Sequence, residues 1–149
     1  MEWLAPLRGN VIALDTAPII YFIEGQSPYA TIVRPFFEAL DAGEFRAITS
    51  TLTVIEVLVH PLRANDVELA AKYREILLHA RNLSTYPLTA DIAEEAARIR
   101  ASRNLSTPDA IQLATAIRHG ATILVTNDKK LSKLPGISVI TLEEMVGDE

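Results

Sequence analysis

The sequence predicts an α/β domain built on a mostly parallel sheet. About five short apolar runs alternate with stretches of helical period, and the run over 122–126 offers no polar face. The first and fourth runs each stop at an acid, Asp15 and Asp128. A strand that is apolar on both faces must be covered by helices on both sides. That arrangement belongs to parallel sheets, whose binding sites lie beyond the carboxyl ends of the strands.

Residues 10–14 read as the first strand, ending at Asp15-Thr16, after which Pro18 opens a helix carrying Ile19, Ile20, Phe22 and Ile23. Residues 25–29 are rich in turn formers, and Val33, Phe36, Phe37 and Leu40 place a helix over 32–42 that Gly43 ends. A brief second strand covers 47–49. Ser50 or Thr51 then caps a helix in which Glu56 is the one charge among Val54, Ile55, Val57, Leu58 and Val59, and His60-Pro61 is expected to stop it. A helix so apolar on nearly every side is expected to be buried.

Leu69, Tyr73, Ile76, Leu77 and Ala80 form one stripe, which predicts a single helix over 64–81. A third strand falls within 83–88, and Thr89 caps a helix through Ile92, Ala96, Ala97 and Ile99 that ends near Asn104. The central stretch, 105–128, follows. Thr107 reads as its N-cap, Pro108 as the first helical position and Asp109 as an acid in the first turn. Ile111, Ala114, Ala116 and Ile117 keep this helix largely apolar to 118 or 119, and Gly120 supplies the C-cap before the fourth strand over 122–126. Residues 136–140 form the last strand. Without repeats, a low-complexity tract or a linker, the 149 residues are expected to make one domain over 1–149.

Composition excludes several classes of function. The absence of cysteine removes thiolate metal sites, disulfides and a cysteine nucleophile, and fits a reducing compartment. Residues 1–10 lack a basic segment followed by an apolar core, and no stretch reaches the roughly 20 apolar residues of a membrane span. A cytoplasmic protein without membrane contact is expected. A net charge of −5 argues against non-specific coating of nucleic acid, which rests on many Lys and Arg contacts, although it allows a local grip. Among the six glycines there is no Gly-x-Gly-x-x-Gly or Walker-type loop. A haloacid-dehalogenase-like phosphatase would need a second aspartate where Ala17 stands.

Asp15, Glu56, Asp109 and Asp128 are the candidate site residues. Each also has a structural reading. Asp15 can cap the helix after it, Asp109 can complement its helix dipole, Asp128 can belong to an Asn-Asp turn, and a salt bridge can satisfy Glu56. Their placement favours a shared site, because Asp15 and Asp128 follow strands while Asp109 and Glu56 lie near helix beginnings. Clustered carboxylates repel unless a metal ion compensates, and oxygen ligands suit Mg2+ or Mn2+, with the Thr16 or Thr126 hydroxyl nearby. His60, His79 and His119 have no ligand spacing among them, which disfavours zinc.

Four segments now carry a family likeness: 11–16 (VIALDT), 51–56 (TLTVIE), 108–116 (PDAIQLATA), and His119-Gly120-Ala121 with 124–128 (LVTND). In this order, and with these elements between them, the chain resembles PIN-domain proteins, and within that family the VapC-like toxins of toxin–antitoxin pairs. The resemblance implies a five-stranded parallel α/β/α sandwich of strand order 3-2-1-4-5. It also implies a Mg2+- or Mn2+-dependent ribonuclease in which Asp15, Glu56, Asp109 and Asp128 hold the metal and Thr126 assists at the pocket's edge.

The implied chemistry is phosphodiester hydrolysis, with one or two ions polarising the phosphate and activating water. An antitoxin protein and a homodimer are implied by the same likeness. Many members have asparagine two residues after the first aspartate, where this chain has Ala17.

Arg98, Arg100 and Arg103 before the central stretch, and Lys129, Lys130 and Lys133 after Asp128, are candidates for gripping an RNA backbone or equally ordinary solvated residues. Tyr21, Phe22, Phe36 and Phe37 similarly offer either an antitoxin groove or core packing. Two other functions compete with the ribonuclease. One is a non-catalytic module that binds metal, RNA or protein, and the other is a DNA flap or single-strand nuclease.

Overall fold

A computed structural model describes residues 2–131, 134 and 136–146. A 3-10 turn, Glu2–Leu7, leads into β1 (Val11–Leu14), α1 (Thr16–Glu24) and α2 (Ala30–Asp41). Then come β2 (Arg46–Ser50), α3 (Thr51–Arg63), α4 (Val67–Arg74), a π turn over Glu75–His79, and β3 (Leu83–Tyr86). The chain continues through α5 (Ala90–Ser102), α6 (Thr107–Arg118), β4 (Ile123–Thr126), a 3-10 turn at Lys129–Leu131, β5 (Ser138–Thr141) and α7 (Leu142–Val146). All four strand pairings are parallel and the order is β3-β2-β1-β4-β5. This is the PIN-like α/β/α arrangement, with the expected strand order.

Alternation along the strands explains the two layers. Ile12, Leu14, Ala47 and Val125 point into a core shared with Ile19, Phe36, Phe37, Val57, Tyr73 and Leu77. Their neighbours Ala13, Ile48 and Leu124 point the other way, onto Ile92, Ala96, Ile99, Ala110, Leu113 and Ala114. With a side-chain period of two and both faces buried, every central strand position must be small or apolar. Truncating a buried leucine such as Leu124 to alanine would cost about 2–5 kcal/mol.

Several boundaries differ from the sequence expectation. Helix α3 does not stop at His60-Pro61 but runs to Arg63, because a buried proline near a helix end removes only one intrahelical donor. The Ala64 and Asp66 amides donate back to His60 and Pro61 and close the turn. The single helix expected over 64–81 is broken at both ends. Asn65 takes a left-handed conformation (φ 54°), Asp66 caps α4 by accepting from Leu69 N, and the last turn loosens into a π turn.

The N-cap of α6 is Ser106 rather than Thr107, with Ser106 Oγ accepting from Asp109 N at 3.3 Å. Gly120 (φ 74°) permits the turn from α6 into β4, in which Ala121 N bonds back to Ala116 O. Among the described residues, no helix is long and apolar enough to cross a membrane.

Candidate active site

The strand order reverses direction between β1 and β4, so the crevice at their carboxyl ends is the topological switch point of the sheet. Asp15 is the residue after β1 and the N-cap of α1. Its Oδ1 accepts from Thr16 N at 2.9 Å, and its Oδ2 accepts from Thr126 Oγ1 at 2.7 Å. Thr126, the last residue of β4, is fully buried, and its oxygen also accepts from Asp128 N at 3.0 Å. One hydroxyl therefore sets the Asp15 carboxylate and the backbone that carries Asp128. Asp128 Oδ1 accepts from Lys130 N at 2.9 Å, which is the Asx-type turn expected at that position.

Asp109 lies half-buried in the first turn of α6. Its carboxyl is pushed up to about 6, first by burial, then by hydrogen bonding with and repulsion from Asp128, and less by Asp15, while Ser106 acts in the opposite sense. Glu56, on α3, reaches the same region through Thr16, whose Oγ1 donates to Glu56 Oε1 at 2.5 Å. The four sequence candidates and Thr126 thus converge on one end of the central strand pair.

Glu56 departs from expectation in one respect, because it is exposed rather than buried. Helix α3 buries only Thr53, Val57 and Pro61, whereas Ile55, Val59 and Leu62 stand 63%, 40% and 55% exposed. The apolar character all round this helix therefore does not report burial. It leaves an uncovered apolar stripe on the side away from the sheet.

The donor set suits a hard divalent cation in chemistry: carboxylate and hydroxyl oxygens, with none of the four acids in an ion pair among the described residues. Among the described residues, however, no three His, Asp or Glu side chains are already gathered as a ligand set. The histidines stand apart from this question, since His60 and His79 are exposed. His119 stacks on Tyr86 with ring centroids 3.5 Å apart, and burial, then Arg118, lowers its pKa.

The basic residues are largely engaged locally. Arg98 pairs with Glu94 and Glu95, Arg100 Nε donates to Leu105 O at 3.0 Å, and Lys129 pairs with Glu143 at 3.1 Å. Arg103 caps α5 through its backbone, Lys130 is exposed, and Lys133 lies outside the described residues. Of the four aromatics, Phe36 is core and Tyr21 accepts from Asn127 Nδ2. Phe22 and Phe37 stack at 4.3 Å and line an apolar cavity of about 270 Å3 with Leu40, Ile76 and Leu83.

Sequence reasoning missed three buried polar residues behind the acids: Thr49, Thr53 and Gln112. The available signal was Gln112, a polar side chain one turn after Asp109 in an otherwise small and apolar helix stretch.

The PIN domain family model matches residues 12–137. No curated protein sequence matches the chain. Among solved structures, a chain of a toxin–antitoxin complex from Klebsiella pneumoniae is 27% identical with a TM-score of 0.66, the match covering 88% of this chain and 97% of that one. A chain of VapBC2 from Rickettsia felis, bound in that structure to a DNA fragment from its promoter, has a TM-score of 0.69 at 18% identity, with 88% and 98% covered. The Mycobacterium tuberculosis toxin VapC20, described as cleaving the sarcin-ricin loop, has a TM-score of 0.62 at 18% identity, with 76% and 86% covered. At 18% identity the last two speak for the fold alone. The family match spans most of the sequence and includes the segments that carry Asp15, Glu56, Asp109 and Asp128, and on that ground the chain belongs to the PIN domain family.

Proposed function

We propose that this protein, acting as one domain over residues 1–149, is a Mg2+- or Mn2+-dependent endoribonuclease and the toxin of a toxin–antitoxin pair. PIN family membership supports a nuclease, and the VapBC neighbours favour an antitoxin partner. The observation that carries the reading is the convergence of two hydroxyl-held carboxylates with a third whose carboxyl is pushed up to about 6, all at the switch point of the sheet.

Asp15, Glu56 and Asp109 would hold the cation directly or through water, with Asp128 completing a second position or orienting the attacking water. The bound cation would polarise the scissile phosphate and lower the pKa of water beside it. Thr126 fixes the rotation of the Asp15 carboxylate, and Thr16 does the same for Glu56. Asp109 and Asp128 repel one another when both are ionised, so this side of the pocket favours positive charge. The apolar cavity beside Phe22 and Phe37 would receive an antitoxin segment, and the exposed stripe of α3 would lie in a homodimer.

The test is cleavage of a mixed RNA pool with Mg2+, Mn2+ or EDTA, beside Asp15→Asn and a pool of matched DNA. Metal-dependent cleavage of RNA, lost in Asp15→Asn, is the expected result. Equal cutting of both pools would mean that the 2′-OH is not required and would favour a DNA nuclease. Metal binding by calorimetry without cleavage would favour a non-catalytic module, a second reading motivated by the absence of a gathered ligand set among the described residues.

A further inference from the structure

Behind Glu56 runs a chain of largely buried polar groups that crosses five elements. Gln112 Nε2, on α6, donates to Thr53 Oγ1 at 2.8 Å. Thr53, on α3, lies 3.1 Å from Thr16 Oγ1 and 3.0 Å from Thr49 Oγ1, and Thr49 on β2 donates to Leu14 O at 2.9 Å. Thr53 is wholly inaccessible, and Thr49 and Gln112 are 2% and 4% exposed. Helix interiors and strands that pack on a core have no general need for such a chain, and apolar residues of similar volume would fill the same space.

Proton counting gives the chain a direction. Ionised Glu56 only accepts, so the single hydroxyl proton of Thr16 is committed to it. Thr49 likewise gives its one proton to Leu14 O, so Thr16 and Thr49 both offer Thr53 only lone pairs and share its single proton. An amide NH2 only donates, so Gln112 occupies an oxygen lone pair of Thr53 and leaves the Thr53 proton free for Thr16 or Thr49. When that proton points to Thr16, each donor in the sequence Gln112, Thr53, Thr16 polarises the next, and the chain terminates on Glu56 Oε1.

We infer that Gln112 and Thr53 are positioning residues that hold the Thr16 hydroxyl, and through it the otherwise exposed Glu56 carboxylate, in a fixed orientation toward the pocket. The importance of that orientation for metal binding rests on the function proposed above, whereas the orientation itself does not. A surface glutamate on a helix ordinarily samples several rotamers. Glu56 is held because a buried network reaches out to it, and that network is anchored one helical turn from Asp109. The two helices that carry Glu56 and Asp109 are thereby set relative to each other through polar contacts as well as packing.

The experiment measures the side-chain order of Glu56 by carbon-13 relaxation in the metal-free full chain, with exposed Glu68 as internal reference. Mn2+ affinity is measured in parallel by calorimetry. Thr53→Val keeps the shape and removes the hydroxyl. Glu56 should then become as mobile as Glu68, and the Mn2+ Kd should rise by about tenfold, the low end for losing a group that orients a ligand. Thr53→Ser should return both to wild-type values, and Gln112→Met should loosen Glu56 in the same sense.

Unchanged Glu56 order in folded Thr53→Val and Gln112→Met would overturn the inference. Should Thr53→Val fail to fold, Gln112→Met decides by the same readout. If the wild type neither binds Mn2+ nor cuts RNA, yet Glu56 is ordered and Thr53→Val releases it, the nuclease reading falls and the positioning role stands.

Discussion

On one side of the pocket Asp15 and Glu56 meet donors: a backbone amide and a buried hydroxyl for Asp15, and a second hydroxyl for Glu56. On the other side Asp128 accepts from the Lys130 amide but also faces Asp109, and burial, then that proximity, pushes the Asp109 carboxyl up to about 6 against the opposing effect of Ser106. In the metal-binding role proposed above, the two sides would divide the work. Donors set geometry before anything binds, whereas opposed carboxylates store unfavourable charge that a cation relieves. A pocket with donors alone would be well shaped but indifferent to metal. Opposed acids alone would attract a cation without fixing where it sits.

The sharpest way to test this division is Asp15→Asn, which keeps the shape and removes the charge. RNA cleavage should fall by at least about a hundredfold, more than the loss of an orienting partner usually causes, with little change in thermal stability. Thr126→Val comes next. It removes the donor to Asp15 and leaves Asp128 N without its acceptor, so activity should drop about tenfold to a hundredfold and stability by about 1–3 kcal/mol. Kinetics and thermal melts on the same samples check both.

Adding Mn2+ at a hundred times its Kd should stabilise the wild type by about 2.7 kcal/mol. Asp109→Asn should lose most of that gain in melts, because it removes one of the opposed charges. The smallest effect expected is a pH dependence. With its folded-state pKa raised above the ordinary 3.8 to about 6, Asp109 binds more protons in the native state than in the unfolded state between those values. Its contribution to stability is therefore present below about pH 4 and lost as pH rises through about 6. Metal-free melts from pH 4 to 7 should show this decline, and Asp109→Asn should flatten it.

The sheet was legible because its central strands are apolar on two faces, and the positions of Asp15, Asp109 and Asp128 were legible because each stands near a strand end or a helix start. Strand order was not contained in the spacing and came from the family likeness of the acid-bearing segments. Pro61 misled because proline is read as a breaker wherever it falls, although near a helix end it removes only one bond. The polar chain behind Glu56 was invisible for a different reason. Thr53 looks neutral in a helix, and its value depends on Thr16 and Gln112, which lie 37 and 59 residues away in sequence. Glu56 itself was found for a reason that failed, since it is exposed, and of the apolar residues around it only Val57 is fully buried while Ile55 and Val59 stand open.

The hydrogen bond between Thr126 and Asp15 joins residues separated by 111 positions, and β1 can take β4 as its neighbour only when the later strand exists. A polypeptide emerging from the ribosome therefore carries Asp15, Thr16 and Glu56 long before it carries Thr126 and Asp128. Until residues 123–128 have left the exit tunnel, Asp15 lacks its Thr126 donor and Asp128 is not beside it. Premature termination or proteolytic loss of the last strands would have the same result. A site divided in this way closes only when β4 has paired with β1, so a chain cut short before residue 123 would lack the Thr126 and Asp128 side.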